Sequence, residues 1–227
     1  MGMTEHIVID ADRTGPPATG NGGWTSGLVA EKVAAPGGTV EVTLRQPPPV
    51  GVPLAVTAED GGWAVRDEGG LLVATAAVRT AEIEPVPPVS RTEALAATGR
   101  YPGHAGHPFP TCYVCSPQRA DGLRIFPGPL PDGRTAAAFT MPPQVSVPVV
   151  WAALDCPGGW TVLTAAQPFV LGRMAAVVDA LPEPDDECVV TGALVRREGR
   201  KALVRTSLYA ATGALLARAE ATWIAVA

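Results

Sequence analysis

Lysine is close to missing from this chain. Of 17 basic residues only Lys32 and Lys201 are lysines, the net charge is −5, and no basic cluster occurs. A nucleic-acid partner needs a positive face to meet phosphates, so none is expected. No apolar run approaches the roughly 20 residues with which a helix crosses a bilayer. Met1 to Pro17 carries Glu5, Asp10 and Asp12 and lacks a hydrophobic stretch of signal-peptide length, so a cytoplasmic protein without a membrane partner is expected. Four cysteines in 227 residues are too few for a disulfide framework. A phosphate loop is missing as well, because Gly15 to Gly20 is not followed by Lys-Ser/Thr.

What the chain does have is a repeat. Gly70-Leu71-Leu72-Val73-Ala74-Thr75-Ala76 and Gly213-Ala214-Leu215-Leu216-Ala217-Arg218-Ala219 each place a glycine before a strand of small apolar residues. Upstream of each lies a helix-like segment beginning at a tryptophan, Trp24 and then Trp151. Self-similarity of this kind predicts two similar α+β units in one polypeptide. The expected units are residues 1–88 and 135–227, separated by an insert over 89–134 rich in Pro, Gly, His and Cys. An alternative register, Gly22-Gly23-Trp24 on Gly158-Gly159-Trp160, leaves too few residues for a buried helix before the next strand and is rejected.

Periodicity fills in the elements. Trp24, Leu28, Val29 and Val33 fall at helical spacing, and Pro36-Gly37-Gly38 is expected to stop that helix. Thr39 to Arg45 alternates, with Val40, Val42 and Leu44 on one face, as a half-buried antiparallel strand does. A meander follows over 54–58, 63–66 and 71–80. In the second unit a helix is expected over Val149 to Asp155, after Pro148, with strands near 168–180, 187–196, 201–210 and 215–226. Within the insert, Arg91 to Thr98 reads as a short helix.

A helix wrapped by an antiparallel sheet, present twice, resembles the double hotdog fold. The details are similar to the acyl-CoA thioesterase II group and its actinobacterial thioesterase-superfamily relatives. The first half carries the likeness in Gly22-Gly23, the helix to Val33, and Arg45-Gln46-Pro47-Pro48. The second carries it in Trp151-Ala152-Ala153-Leu154-Asp155, Gly199-Arg200, Ser207-Leu208-Tyr209 and Gly213 to Ala217. The resemblance implies a hydrolase acting on an acyl-CoA thioester, with a homo-oligomer left open. Asp155 would orient the attacking water. Asn21 stands where other hotdog thioesterases have the histidine of His-Gly-Gly, and Gly22 and Gly23 would let a thioester approach backbone N–H groups at a helix start. The family's threonine and glutamine partners fall near Val170 and Ala221, neither of which holds a water. A non-catalytic binder of acyl or other apolar ligands is therefore the rival reading. Glu31, ten residues after Asn21, is expected on the solvated face. Dehydration is disfavoured, since His6, His104 and His107 lie outside the repeat helices.

The insert holds a second constellation. His104-Ala-Gly-His107 and Cys112-Tyr-Val-Cys115 put four zinc-type ligands within a short span, and Cys156 offers a third thiolate if the insert folds over the second helix. A structural zinc and a pair of reduced thiols under a packed loop are both compatible with that spacing. No cofactor is required by either. A redox role is not expected, because no thioredoxin-like setting surrounds the Cys-x-x-Cys. Arg119, Arg124 and Arg200 are candidate partners for the phosphates of coenzyme A.

Overall fold

The computed structural model describes residues 4–33, 39–80 and 82–226; the expected helix stop at Pro36-Gly37-Gly38 lies outside them. Eleven strands form one antiparallel sheet around two central helices. The first unit comprises β1 (Glu5–Val8), α1 (Gly22–Lys32), β2 (Thr39–Leu44), β3 (Pro53–Glu59), β4 (Gly62–Arg66) and β5 (Leu72–Arg79). Next come α2 (Arg91–Thr98) and the two-residue β6 (Gly128–Pro129). The second unit comprises β7 (Thr135–Thr140), α3 (Val147–Gly159), β8 (Phe169–Val178), β9 (Glu187–Glu198), β10 (Lys201–Ala210) and β11 (Leu215–Ala225).

The spatial order is β1-β3-β4-β5-β2-β8-β11-β10-β9-β7-β6. Counted outward from the β2–β8 seam, the first half runs second, fifth, fourth, third and first strand of its unit, and the second half does the same before β6 is appended. This is the duplication predicted from Gly70 and Gly213. Both glycines have left-handed φ, +83° and +85°, a conformation glycine reaches without steric cost. The registers agree too: Ala76 of β5 lies opposite Val42 of β2, and Ala219 of β11 opposite Ala176 of β8. At the seam Val42 faces Met174, so the two half-sheets join into one.

Helices α1 and α3 cross inside the curve of the sheet. The contact depends on small residues. A Cβ on Gly23 would lie 2.6 Å from Asp155 Cβ and 2.7 Å from the Trp151 carbonyl oxygen, and one on Gly27 2.6 Å from Pro148 Cα. Every residue of α3 from Pro148 to Gly159 is buried. That helix extends beyond the expected Val149–Asp155 through Pro157, whose missing N–H breaks one helical bond. Its free carbonyl oxygen accepts from Thr135 Oγ1 at 2.6 Å, and Trp160 N–H closes the last turn on Cys156.

On the outer face an ion-pair network bridges the halves. Glu220 of β11 accepts from Arg79 of β5 at 2.7 Å and from Arg205 of β10 at 2.9 Å. Burial pushes the Glu220 carboxyl up, but the two arginines outweigh it and hold the group below its usual range. We expect Glu220→Ala to cost about 1–3 kcal/mol, because it strands two half-buried guanidinium groups, and Glu220→Gln to cost less. Thermal melts at neutral pH check this. The difference from wild type should shrink as pH falls through the lowered pKa and the carboxylate is lost.

The insert is part of the same body. A capping box between Ser90 and Glu93 starts α2, and Ala94 and Ala97 pack on Ala136 and Val189 at the sheet edge. The chain then crosses to the first unit. Tyr113 N–H donates to Thr14 O, and Thr14 and Thr111 exchange side-chain bonds with each other's loops. Arg119 donates to the Asp12 and Thr111 carbonyls and pairs with Asp121.

Candidate functional site

A cavity of about 350 Å³ lies where the two halves and the insert meet. Its walls are the loop before α1, the end of β2, the turn carrying Cys112 and Cys115, the α3 stretch at Asp155 and Cys156, and the starts of β8 and the end of β11. The lining is mostly apolar, and Leu44 is only half-buried because it borders this space. Two shallower charged grooves lie on the outer face of the sheet around Glu41 and Arg173, lined by side chains already in ion pairs.

Asp155 is the one fully buried carboxylate at this cavity. Its Oδ2 accepts from Gly23 N–H at 3.0 Å and from Asn21 Nδ2 at 3.1 Å. Asn21 is also the N-cap of α1: its Oδ1 accepts from Trp24 N–H at 2.9 Å. One amide side chain thus fixes both the helix start and the acid, and the positive end of the helix faces the carboxylate. Asp155 Oδ1 is buried with no hydrogen-bond partner among the described residues. Burial raises the carboxyl to about 7; the Gly23 N–H opposes this, nearby Cys112 adds to it, and Asn21 opposes it.

The glycines divide in role. Gly23 N–H is committed to Asp155, whereas Gly22 borders the cavity and its N–H has no protein acceptor among the described residues. Glu31 is exposed. Val170 borders the cavity, and Ala221 sits outside it. Arg119 is held by Asp121 and two carbonyls, Arg124 donates to Arg119 O, and Arg200 donates to Ala225 O, so none of the three reaches the cavity.

The insert does fold over α3. Cys112 Sγ lies 3.4 Å from Cys115 Sγ and 3.8 Å from Cys156 Sγ, and all three sulfurs are within 4.8 Å of one another. Hydrogen bonds from the other two thiols hold Cys112 well below the usual thiol range; burial, then the bond to Cys112, pushes Cys115 up, and the bonds to Cys112 and Cys115, then burial, push Cys156 up. Of the two histidines expected with Cys112 and Cys115, one lies beside these sulfurs and the other does not. His104 is exposed, its ring set edge-on against Tyr101 and Phe126. His107 does approach: Nε2 is 3.2 Å from Cys115 Sγ. Its Nδ1 accepts from Phe109 N–H at 2.9 Å, so the network assigns the ring proton to Nε2. Trp160, which the sequence offered only within a rejected repeat register, donates its indole N–H to the same sulfur at 3.5 Å. Its signal was a tryptophan four residues after Cys156, one helical turn on.

No family model matches the chain, and no curated protein matches its sequence. Solved structures do match over nearly its full length. A candidate thioesterase from Novosphingobium aromaticivorans is 16% identical, with 97% of this chain and 94% of that chain covered and a TM-score of 0.61. The tesB protein of Mycobacterium avium subs paratuberculosis is 13% identical, covering 93% and 89%, with a TM-score of 0.59. A hot dog fold protein of unknown function from Alicyclobacillus acidocaldarius is 12% identical, covering 99% and 93%, with a TM-score of 0.56. At these identities the likeness carries the architecture, and with the doubled strand order it is conclusive: the chain has the hotdog fold, two copies fused in one polypeptide.

Proposed function

We propose that the chain binds an acyl thioester in this cavity and hydrolyses it. The observation that carries the reading is Asp155 Oδ1, a buried carboxylate oxygen without a partner beside an apolar cavity. Such an oxygen is costly unless it meets a water or a ligand. The volume suits a small ligand. In the proposed reaction the thioester carbonyl oxygen accepts from Gly22 N–H at the start of α1, which offsets the negative charge that develops there. Asp155 Oδ1 takes a proton from water as the water oxygen bonds to the carbonyl carbon. The C–S bond then breaks, the sulfur leaves as thiolate, and the proton held by Asp155 returns to it. Asn21 and Gly23 are positioning residues, holding the other carboxylate oxygen. We take residues 1–88 and 135–227 as the duplicated units and 89–134 as the segment that closes the cavity.

Val170 supports the second reading, a non-catalytic binder: it puts an apolar side chain on the cavity wall where the resemblance calls for a water-holding threonine. Acyl-CoA substrates of graded chain length, with free acid quantified by mass spectrometry, separate the two. Hydrolysis above the buffer rate is expected for at least one length. Saturable binding without acid release at any length would establish the binder instead.

A further inference from the structure

We infer that Cys112, Cys115 and Cys156 hold one zinc ion in the cavity wall, with the fourth coordination position filled from inside the cavity and not by a histidine. Three thiolates bound at about 2.3 Å to a tetrahedral zinc lie about 3.8 Å apart. The two separations from Cys112 Sγ, 3.4 Å and 3.8 Å, need adjustments of only tenths of an ångström, and the third pair, Cys115 and Cys156, lies within 4.8 Å. A disulfide between Cys112 and Cys115 accounts for two of these sulfurs and leaves the third, on α3, unexplained. The third comes from a different element, and hydrogen bonds between the insert and the loop before α1 hold the Cys-x-x-Cys turn over α3.

The surroundings suit bound thiolates. Trp160 Nε1–H and His107 Nε2–H both aim at Cys115 Sγ. Two N–H donors on one buried sulfur are more than a neutral thiol needs, and they are the outer partners that a metal-bound thiolate requires to offset its charge. The same hydrogen bonds decide the ligand set. Phe109 N–H occupies the Nδ1 lone pair of His107, so Nε2 keeps its proton and has no electrons for a metal. His107 is therefore a positioning residue for Cys115, and His104 takes no part.

All three cysteines border the cavity. Three protein ligands with one position open is the arrangement that leaves room for water or substrate, in contrast to the closed four-ligand structural site. Zinc accepts soft sulfur, so a thiol entering the cavity suits the open position. That last point alone rests on the acyl-thioester reading.

The test is metal content of the full chain, purified under reducing conditions from zinc-supplemented medium. Wild type, His104→Ala and His107→Ala should each carry about one zinc per chain, and Cys112→Ser and Cys156→Ser less than about a tenth of that. Should the serine variants fail to fold, wild type stripped by chelator and refilled with Co²⁺ reads the same site: sulfur-to-cobalt charge-transfer absorption is expected. Addition of free coenzyme A should then shift the visible cobalt bands. Wild type without zinc and without charge-transfer absorption overturns the site, as does zinc retained in Cys112→Ser. Zinc lost outright in His107→Ala, beyond the roughly 10–100-fold weakening that removal of an outer partner gives, overturns the ligand set, and cobalt bands indifferent to coenzyme A overturn a thiol as occupant of the open position. Zinc content is read without any activity, so a metal-loaded protein that hydrolyses nothing counts against the acyl-thioester reading and not against the metal.

Discussion

Asp155→Asn lowers acyl-thioester hydrolysis by about 10²–10⁴-fold, the usual contribution of a positioned general base, while the fold and ligand binding persist. Asparagine has the same shape. Its side-chain oxygen can still accept from Gly23 N–H, so the bond that ties α3 to the start of α1 survives. What is lost is an atom able to take a proton from water in place of Oδ1. The neutral amide also removes a buried ionisable group, so the melting temperature should stay level or rise. Asp155→Ala is the contrasting variant, since it leaves Gly23 N–H and Asn21 Nδ2 without an acceptor and costs about 1–3 kcal/mol. Turnover, isothermal titration with a substrate analogue and thermal melts on both variants separate chemistry from structure. If Asp155→Asn keeps activity within tenfold of wild type, the carboxylate is not the base.

The second large effect lies at the crossing of α1 and α3. Gly23→Ala pushes a methyl to within 2.6 Å of Asp155 Cβ and 2.7 Å of the Trp151 carbonyl, and Gly27→Ala pushes one against Pro148 Cα. The atoms in the way are mostly backbone of a helix buried on every side, so nothing can swing aside. Overpacking of this kind costs about 1–3 kcal/mol per site. The two glycines share one contact, so their effects need not add. For a chain of this size a loss of 3 kcal/mol is about 6–12 °C in melting temperature. Calorimetry on the double variant is the check, and a melt within 2 °C of wild type would mean the helices do not approach as closely as described. Gly23→Ala should also weaken any activity beyond its effect on stability, because it displaces Asp155 itself.

Much of the architecture was legible in the sequence because it rests on periodic signals. Alternation of Val40, Val42 and Leu44 and the two pre-strand glycines depend on neighbours only, and Arg91–Thr98 emerges with its predicted bounds. The misread parts depend on partners distant in the chain. The spacing predicted a helix only as far as Asp155, but α3 runs on through Pro157 because sheet and insert enclose it, and Thr135 satisfies the proline's own carbonyl. Gly22, Gly23 and Gly27 weaken the helical pattern of α1, and their use becomes visible only once α3 lies against them. Asp155 and Asn21 were each singled out, yet the bond between them spans 134 positions and no local pattern announces it. The histidines were placed by proximity in sequence. Ring nitrogens are assigned by hydrogen bonds, and His107 spends one on Phe109.

Fusing the two copies has relaxed a constraint that binds any homodimer. Identical subunits must carry the same residue at both symmetry mates, so an acid in one is an acid in the other. Here the mate of Asp155, counted from Trp24 as Asp155 is from Trp151, is Leu28, which packs against the core. The first lobe thus contributes amide groups, from Asn21, Gly22 and Gly23, and the second contributes the acid. Ligand should accordingly saturate at a single equivalent per polypeptide, with no twin locus to titrate afterwards.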